Sequence, residues 1–172
     1  MNPLVLVAHS DDWVAGRIRR WASPRWLQVW MVAATRLGDG WAWLAVLTTM
    51  PTRHDHREAH VLAEALIAAA AVNAAQVTLK RAFRRRRPAT AASHRLLVAS
   101  DQFSFPSGHT MNAFAVAVLV CVRVPVASPF ALAVAASVGA SRVVLGLHYP
   151  SDVVAGAVLG SVLASAAVLA LG

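Results

Sequence analysis

The chain has 172 residues, of which 58% are apolar and only 14% charged, with a mean hydropathy of +0.55. That apolar share exceeds the roughly 45–50% of soluble domains and argues for a multi-span membrane protein. The net charge of +8 comes from 15 Arg and one Lys against eight acidic residues; with no aromatic–basic module beside it, the charge points to lipid headgroups and membrane orientation and away from nucleic acid.

The N-terminus, MNPLVLVAHSDDW, lacks a basic region ahead of its short apolar run and does not read as a signal peptide. Residues 10–25, SDDWVAGRIRRWASPR, place Asp11 and Asp12 ahead of Arg17, Arg19, Arg20, Trp13 and Trp21. The pattern predicts an amphipathic helix lying in the membrane interface. From Trp26 to Met50 the chain is hydrophobic but interrupted by TRLGDG. A first apolar segment, a turn at Gly38-Asp39-Gly40 and a short span from Trp41 to about Met50 follow. Asp39 reads as a turn residue in preference to a partner for Arg36, and Trp26, Trp30, Trp41 and Trp43 suit an interfacial belt.

Residues 51–60, PTRHDHREAH, read as a polar loop. Its His54, His56 and His60 are taken as solvated interfacial residues and not as a metal site. The next span, Val61 to about Phe83, carries Asn73 and Gln76, expected to bond to neighbouring helices. A long polar connection, which includes His94 and Arg95, leads to a span from Ser107 to Val122 that holds the only cysteine, Cys121. One cysteine supports neither a disulfide framework nor a zinc site. After RVPVASP a span runs from about Phe130 to Leu147, and after HYPSD the last runs from Asp152 to Leu171, about the 20 residues a bilayer requires. The expected fold is therefore all-α, a multi-span transmembrane helical bundle of about five to six membrane helices with an N-terminal amphipathic interfacial helix. It forms one domain over residues 1–172, with 1–40 as the interfacial region and 41–172 as the transmembrane core.

Three pieces of this chain carry chemistry. Lys80 and Arg87 stand seven residues apart, close to two helical turns, which predicts one shared helix face ended by Pro88. Arg81, Arg84, Arg85 and Arg86 around them read as a basic interfacial collar. Ser107 follows Pro106 and is placed to cap the next helix, leaving the first-turn amides of Gly108 and His109 as donors to an anion. Glycine admits the anion close to the backbone, and His109 is positioned to give it a proton. In SRVVLGLHYPSD, Arg142 is a cation inside a span, where a charge is costly and usually functional. His148 and Asp152 are four apart, so the carboxylate can hold one imidazole nitrogen and leave the other as a nucleophile. Singly, each piece has a plain reading: a collar, a helix cap, a structural hydrogen bond. Jointly they suit in-line attack on phosphorus. They suit metal-assisted hydrolysis poorly, because no acidic residues pair beside the motifs, and neither metal nor cofactor is expected.

Lys80-(six residues)-Arg87-Pro88, Pro106-Ser107-Gly108-His109 and Ser141-Arg142-(five residues)-His148-(three residues)-Asp152 resemble, in order and without a gap, the three-part signature of the type 2 phosphatidic acid phosphatase (PAP2) superfamily. The resemblance implies a metal-independent phosphatase in which His148, held by Asp152, forms a phosphohistidine. It further implies that His109 protonates the leaving oxygen and that Lys80, Arg87, Ser107, Gly108 and Arg142 hold the phosphate. Related readings are a lipid phosphotransferase with the same intermediate, a vanadate-dependent haloperoxidase, and a lipid-binding protein with an inactive site.

A site at the membrane surface implies an amphiphilic partner, a lipid phosphate, with its tail in the bilayer. Phosphatidic acid, phosphatidylglycerol phosphate, polyprenyl (di)phosphates and polyprenyl-linked sugar phosphates all qualify. The short, Ala- and Arg-rich chain resembles small actinobacterial members, one of whose activities removes the 5-phosphate of decaprenylphosphoryl phosphoribose. Counting spans leaves Arg17, Arg19, Arg20, Arg25, Arg36, Arg81, Arg84, Arg85, Arg86 and Arg95 on the side of the motifs, against Arg53, Arg57 and Arg123 opposite. The positive-inside rule then places the site at the cytoplasmic face of a bacterial plasma membrane.

Overall fold

A computed structural model describes residues 3–21, 24–39, 56–88 and 102–171. Among them lie six α-helices: α1 Pro3–Trp21, α2 Arg25–Leu37, α3 His56–Phe83, α4 Gly108–Arg123, α5 Ser128–Val144 and α6 Pro150–Leu171, with a 3₁₀ turn at Pro125–Ala127 before α5. The expected span Trp41–Met50, His54, His94 and Arg95 fall outside the described residues. Among the described residues, three segments are long and apolar enough to cross a membrane: Val61–Phe83, Pro125–Val144 and Pro150–Leu171. The fourth, α4, has 16 residues. At 1.5 Å per residue it reaches about 24 Å, short of a hydrocarbon core of about 30 Å.

The core is built from small side chains. Ala65, Ala68 and Val72 of α3 meet Met111, Ala115 and Leu119 of α4 and Ala164 and Ala167 of α6. Lipid is as apolar as these residues, so close van der Waals fit, not the hydrophobic effect, must hold such helices together. The approach of α6 to α4 depends on Gly156 and Gly160. A Cβ at Gly156 would stand 2.7 Å from the Ser107 carbonyl oxygen, and one at Gly160 would collide with the Met111 carbonyl. The outer face of α6 exposes Val154, Val158, Val162 and Leu169, as a lipid-facing stripe does. A smaller cluster of Met31, Leu145 and Leu147 seats α2 against the end of α5.

Several expected boundaries moved, each for a local reason. The first helix starts at Pro3, seven residues before the predicted Ser10, because the apolar PLVLVA continues its pattern and proline is tolerated in a first turn. Residues 56–60 are helical rather than a loop: HREAH is polar, but it holds no helix breaker. Asn73 is exposed and not buried as expected, while Gln76 is half-buried. The most consequential change concerns Arg87. Helix α3 ends at Phe83, where Arg84 turns left-handed at φ 46° and its amide bonds to the Lys80 carbonyl at 3.0 Å. Lys80 and Arg87 therefore do not share a helix face, and Pro88 is not what ends the helix. Residues 84–88 leave as an irregular strap.

Candidate functional site

The strap carries Arg87 to the site by pairing with the segment ahead of α4. The Ser104 amide donates to the Arg85 carbonyl at 2.8 Å, and Arg86 and Phe103 form an isolated antiparallel bridge. The Ser104 hydroxyl, fully buried, reaches the Arg85 and Arg86 carbonyls at 3.3 Å each. The first signature piece is thus fastened to the second. The second is fastened to the third by the Ser107 amide, which donates to the Asp152 carbonyl oxygen at 3.1 Å. All three meet at the same ends of α3, α4 and α6.

Ser107 sits at the N-cap of α4, as its place after Pro106 predicts, but its side chain makes no capping bond. Its hydroxyl instead accepts from Thr110 Oγ1 at 2.9 Å. The space left by Gly108 is filled by the side-chain amide of Gln76, which a Cβ there would overlap. Glycine here admits a neighbouring side chain to the first turn of the helix.

His148 follows a glycine-dependent helix stop. Gly146 has φ 67°, the left-handed region where a side chain is strained, and it reverses the chain so that the Leu147 and His148 amides both donate to the Arg142 carbonyl, at 2.9 and 3.0 Å. The imidazole that results is 1% exposed. Its Nε2 stands 3.0 Å from Arg87 Nη1, which also donates to the Leu147 carbonyl at 2.9 Å. A guanidinium has no acceptor, so Nε2 must offer its lone pair. The ring proton is then on Nδ1, which lies 3.5 Å from Asp152 Oδ2, a separation that one small adjustment turns into a hydrogen bond. Burial pushes the His148 pKa down to about 3; Asp152 opposes that shift, while the charges of Arg142 and Arg87 add to it. The ring is neutral at physiological pH.

Asp152 is fully buried and saturated. Its Oδ2 accepts the Tyr149 amide at 2.9 Å and its Oδ1 accepts Arg85 Nη1 at 2.9 Å. Arg85 continues to Ser151 Oγ and to Asp11 Oδ2, each at 2.6 Å, and stacks over the Tyr149 ring at 4.1 Å. Asp11 also takes the Ser151 amide at 3.0 Å and its hydroxyl. Desolvation acts against the Arg85 charge, yet the two aspartates outweigh it and raise its pKa above the usual value. Arg85 is a bridge between α1 and the carboxylate behind His148, not a collar residue. Sequence reasoning missed both Arg85 and Asp11. The only available signal was that Ser-Asp-Asp lies in a helix otherwise rich in Arg, and nothing local says which acid turns inward.

On the other side of the site, His109 is partly open and its Nε2 lies 2.9 Å from Asp39 Oδ1. Asp39 does occupy the turn after α2, as expected, and its Oδ2 stands 3.8 Å from Arg36, but its main partner is this histidine. Arg142 is buried in the last turn of α5, donates to Thr35 of α2, and is near enough to act electrostatically on both His109 and His148. Lys80, buried at the end of α3, acts on His109 in the same way. Two imidazoles, three cations and the N-terminus of α4 so come together at these helix ends, a set of groups suited to binding an anion. Among the described residues no three His, Cys, Asp or Glu side chains come together as a metal site.

Residues 61–171 match the family model of the PAP2 superfamily. The chain belongs to the PAP2 superfamily. Over 122 residues, 71% of its length, this PAP2 chain is 34% identical to decaprenylphosphoryl-5-phosphoribose phosphatase of Mycobacterium tuberculosis and spans 66% of that protein, just under two thirds. Its fold is similar to the crystal structure of the transmembrane PAP2-type phosphatidylglycerolphosphate phosphatase of Bacillus subtilis, with 27% identity, a TM-score of 0.71 and 95% and 89% of the two chains covered. It is also similar in fold to Aquifex aeolicus LpxE, at 24% identity and a TM-score of 0.74, covering 90% and 92%. With its long apolar helices, this PAP2 protein is an integral membrane protein.

Proposed function

We propose that this chain is a membrane lipid phosphatase that works through a phosphohistidine on His148. The observation that carries the reading is the 3.0 Å contact between Arg87 Nη1 and His148 Nε2: a lone pair fixed in direction, with an anion-binding guanidinium directly in front of it. In the reaction, Arg87, Arg142, Lys80 and the first-turn amides at Gly108 and His109 bind the phosphoryl oxygens, with Ser107 beside them. Nε2 of His148 attacks phosphorus, and the positive charge that develops on the ring is met by Asp152. His109 protonates the departing oxygen, then takes a proton from the water that cleaves the P–N bond. The donors are preformed, so little reorganisation is needed as charge moves to the equatorial oxygens.

The whole of residues 1–172 serves as one catalytic unit in this reading, since Asp11 and Asp39 come from the first forty residues and reach the site. The substrate is a phosphate monoester or diphosphate of a lipid, phospholipid or polyprenyl-linked, with decaprenylphosphoryl phosphoribose 5-phosphate at the head of the candidates because a relative bears that activity in its name. The arginine distribution favours the cytoplasmic face of a bacterial plasma membrane.

The test is phosphate release by the protein in detergent, with EDTA present, from phosphatidic acid, phosphatidylglycerol phosphate, undecaprenyl diphosphate and decaprenylphosphoryl phosphoribose 5-phosphate. Release from at least one, lowered roughly 10⁴-fold or more in His148→Ala, is the expected result. Turnover that survives the substitution, or none from any lipid, overturns the reading.

A further inference from the structure

The turn Gly38-Asp39 has no part in the family signature, yet it is built onto the proton donor. Asp39 Oδ1 stands 2.9 Å from His109 Nε2 although seventy residues separate them in sequence. The approach is tight: a Cβ on Gly38 would lie 2.7 Å from Val138 Cγ1 and 3.1 Å from both Cβ and Cδ2 of His109. Glycine is what allows the end of α2 to rest on the histidine. A carboxylate only accepts, so Nε2 must carry a hydrogen, and Nδ1 is the nitrogen left to exchange a proton with a ligand.

Charge gives the contact a purpose. The imidazole has to be positive before the leaving oxygen departs and again after water is deprotonated. Lys80 and Arg142 are the cations whose fields reach it, and Asp39 is the carboxylate that offsets them. Arg36, 3.8 Å away on the exposed side of Asp39, does not touch the ring.

We propose that Asp39 is the positioning residue of the proton-donating histidine, holding Nε2–H of His109 so that Nδ1 gives and recovers the catalytic proton. The inference rests on the phosphatase reading above. In the first step the P–O bond to the lipid breaks as the His148 Nε2–P bond forms, and the Nδ1 proton of His109 leaves on the lipid alcohol. In the second, water attacks phosphorus, the P–N electron pair returns to His148, and the water proton goes to Nδ1. Asp39 faces a full imidazolium before the first step and after the second.

The experiment compares a long-chain alkyl phosphate with a nitro-activated aryl phosphate of the same chain length, as first-turnover rates in detergent. The aryl oxygen leaves without a proton, so the pair isolates the donor. Asp39→Asn should lower the alkyl rate about 10- to 100-fold, within the range of general acid catalysis, and the aryl rate less than about threefold. Gly38→Ala, which pushes the turn off the histidine, should give the same selective loss, Asp39→Glu a partial recovery, and Arg36→Ala no change. Equal losses on both substrates, or no loss on either, would overturn the positioning role and leave the phosphatase reading intact. An inactive wild type, or an active His148→Ala, would instead overturn the phosphatase reading.

Discussion

The two histidines of this site are held in opposite ways. His148 is 1% exposed, and apart from Arg87 its supports lie within six residues of it: the Arg142 carbonyl, the Gly146 turn and Asp152. His109 is about one-third exposed, and its partner Asp39 comes from a different helix end, seventy residues away. A nucleophile must be neutral, dry and fixed in tautomer. A proton donor must be charged part of the time and open to the lipid oxygen and to water. Under the proposed roles, burial suits the first task and defeats the second, so the two rings need different environments within one site.

The sharpest way to break this contrast is at Asp152. Asp152→Asn keeps the shape of the carboxylate but offers Nδ1 a group that can point a donor at it, inviting the wrong tautomer. We expect turnover to fall about 10³- to 10⁴-fold on alkyl and aryl substrates alike, the scale seen when a buried aspartate behind a catalytic histidine is made an amide. Selective loss on the alkyl substrate would mean that Asp152 serves the proton donor and that the division of roles is wrong.

Next in size is the bridge behind Asp152. Arg85→Gln should cost on the order of 10–100-fold in kcat with KM little changed, the range in which partners of a reactive group's own partner act. Asp11→Asn should cost less, because Ser151 and Asp152 still hold the guanidinium. The double variant should cost less than the product of the two singles, since both act through one network. Strict additivity would show that Asp11 does not work through Arg85.

That bridge also marks where sequence legibility ends. The order of the motifs and the histidine–aspartate spacing across Tyr149-Pro150 are local, so spacing and residue type reveal them; the left-handed Gly146 that follows the end of α5 at Val144, short of the expected Leu147, is not marked by any such spacing. Four of the span boundaries could be placed within a few residues because apolar runs of bilayer length have few other uses. Arg85 looked like its neighbours Arg84 and Arg86, and what separates it is a left-handed Arg84 that no side-chain pattern encodes. The same turn undid the expectation that Lys80 and Arg87 share a helix face. Asp39 looked like a turn residue, which it is; only the packing of α2 on α5, which sets the Gly38-Asp39 turn against His109, gives it a second task.

A smaller effect follows from the burial of His148. Its pKa lies at about 3, lowered first by desolvation, so the folded ring stays neutral while an unfolded one would take a proton near 6.5. Its contribution to stability is therefore full above pH 6.5 and lost as pH falls toward 3. Side-chain ¹⁵N spectra in detergent, with the signal assigned by its absence in His148→Ala, should show a neutral imidazole unchanged from pH 7 to 5. A midpoint near 6.5 would mean the site is wet and the contrast with His109 is only one of partners.

The smallest effect on activity should come from the far end of the bundle, where Glu64 of α3 and Arg123 of α4 form an ion pair with the carboxylate fully buried. Glu64 lies about 24 Å along α3 from Lys80, at 1.5 Å per residue. Arg123→Gln leaves that carboxylate without its guanidinium and should lower stability by about 1–3 kcal/mol, less than for a fully buried pair because Arg123 is partly exposed. At that distance the rate on either substrate should stay within about twofold of the wild type. The two ends would then be separable, one holding the helices together and the other doing the chemistry. An activity loss as large as that of Arg85→Gln, in protein that remains folded, would show instead that the spacing of α3 and α4 is transmitted along their length to Lys80 and His109, and that the small-residue core is stiff enough to carry it.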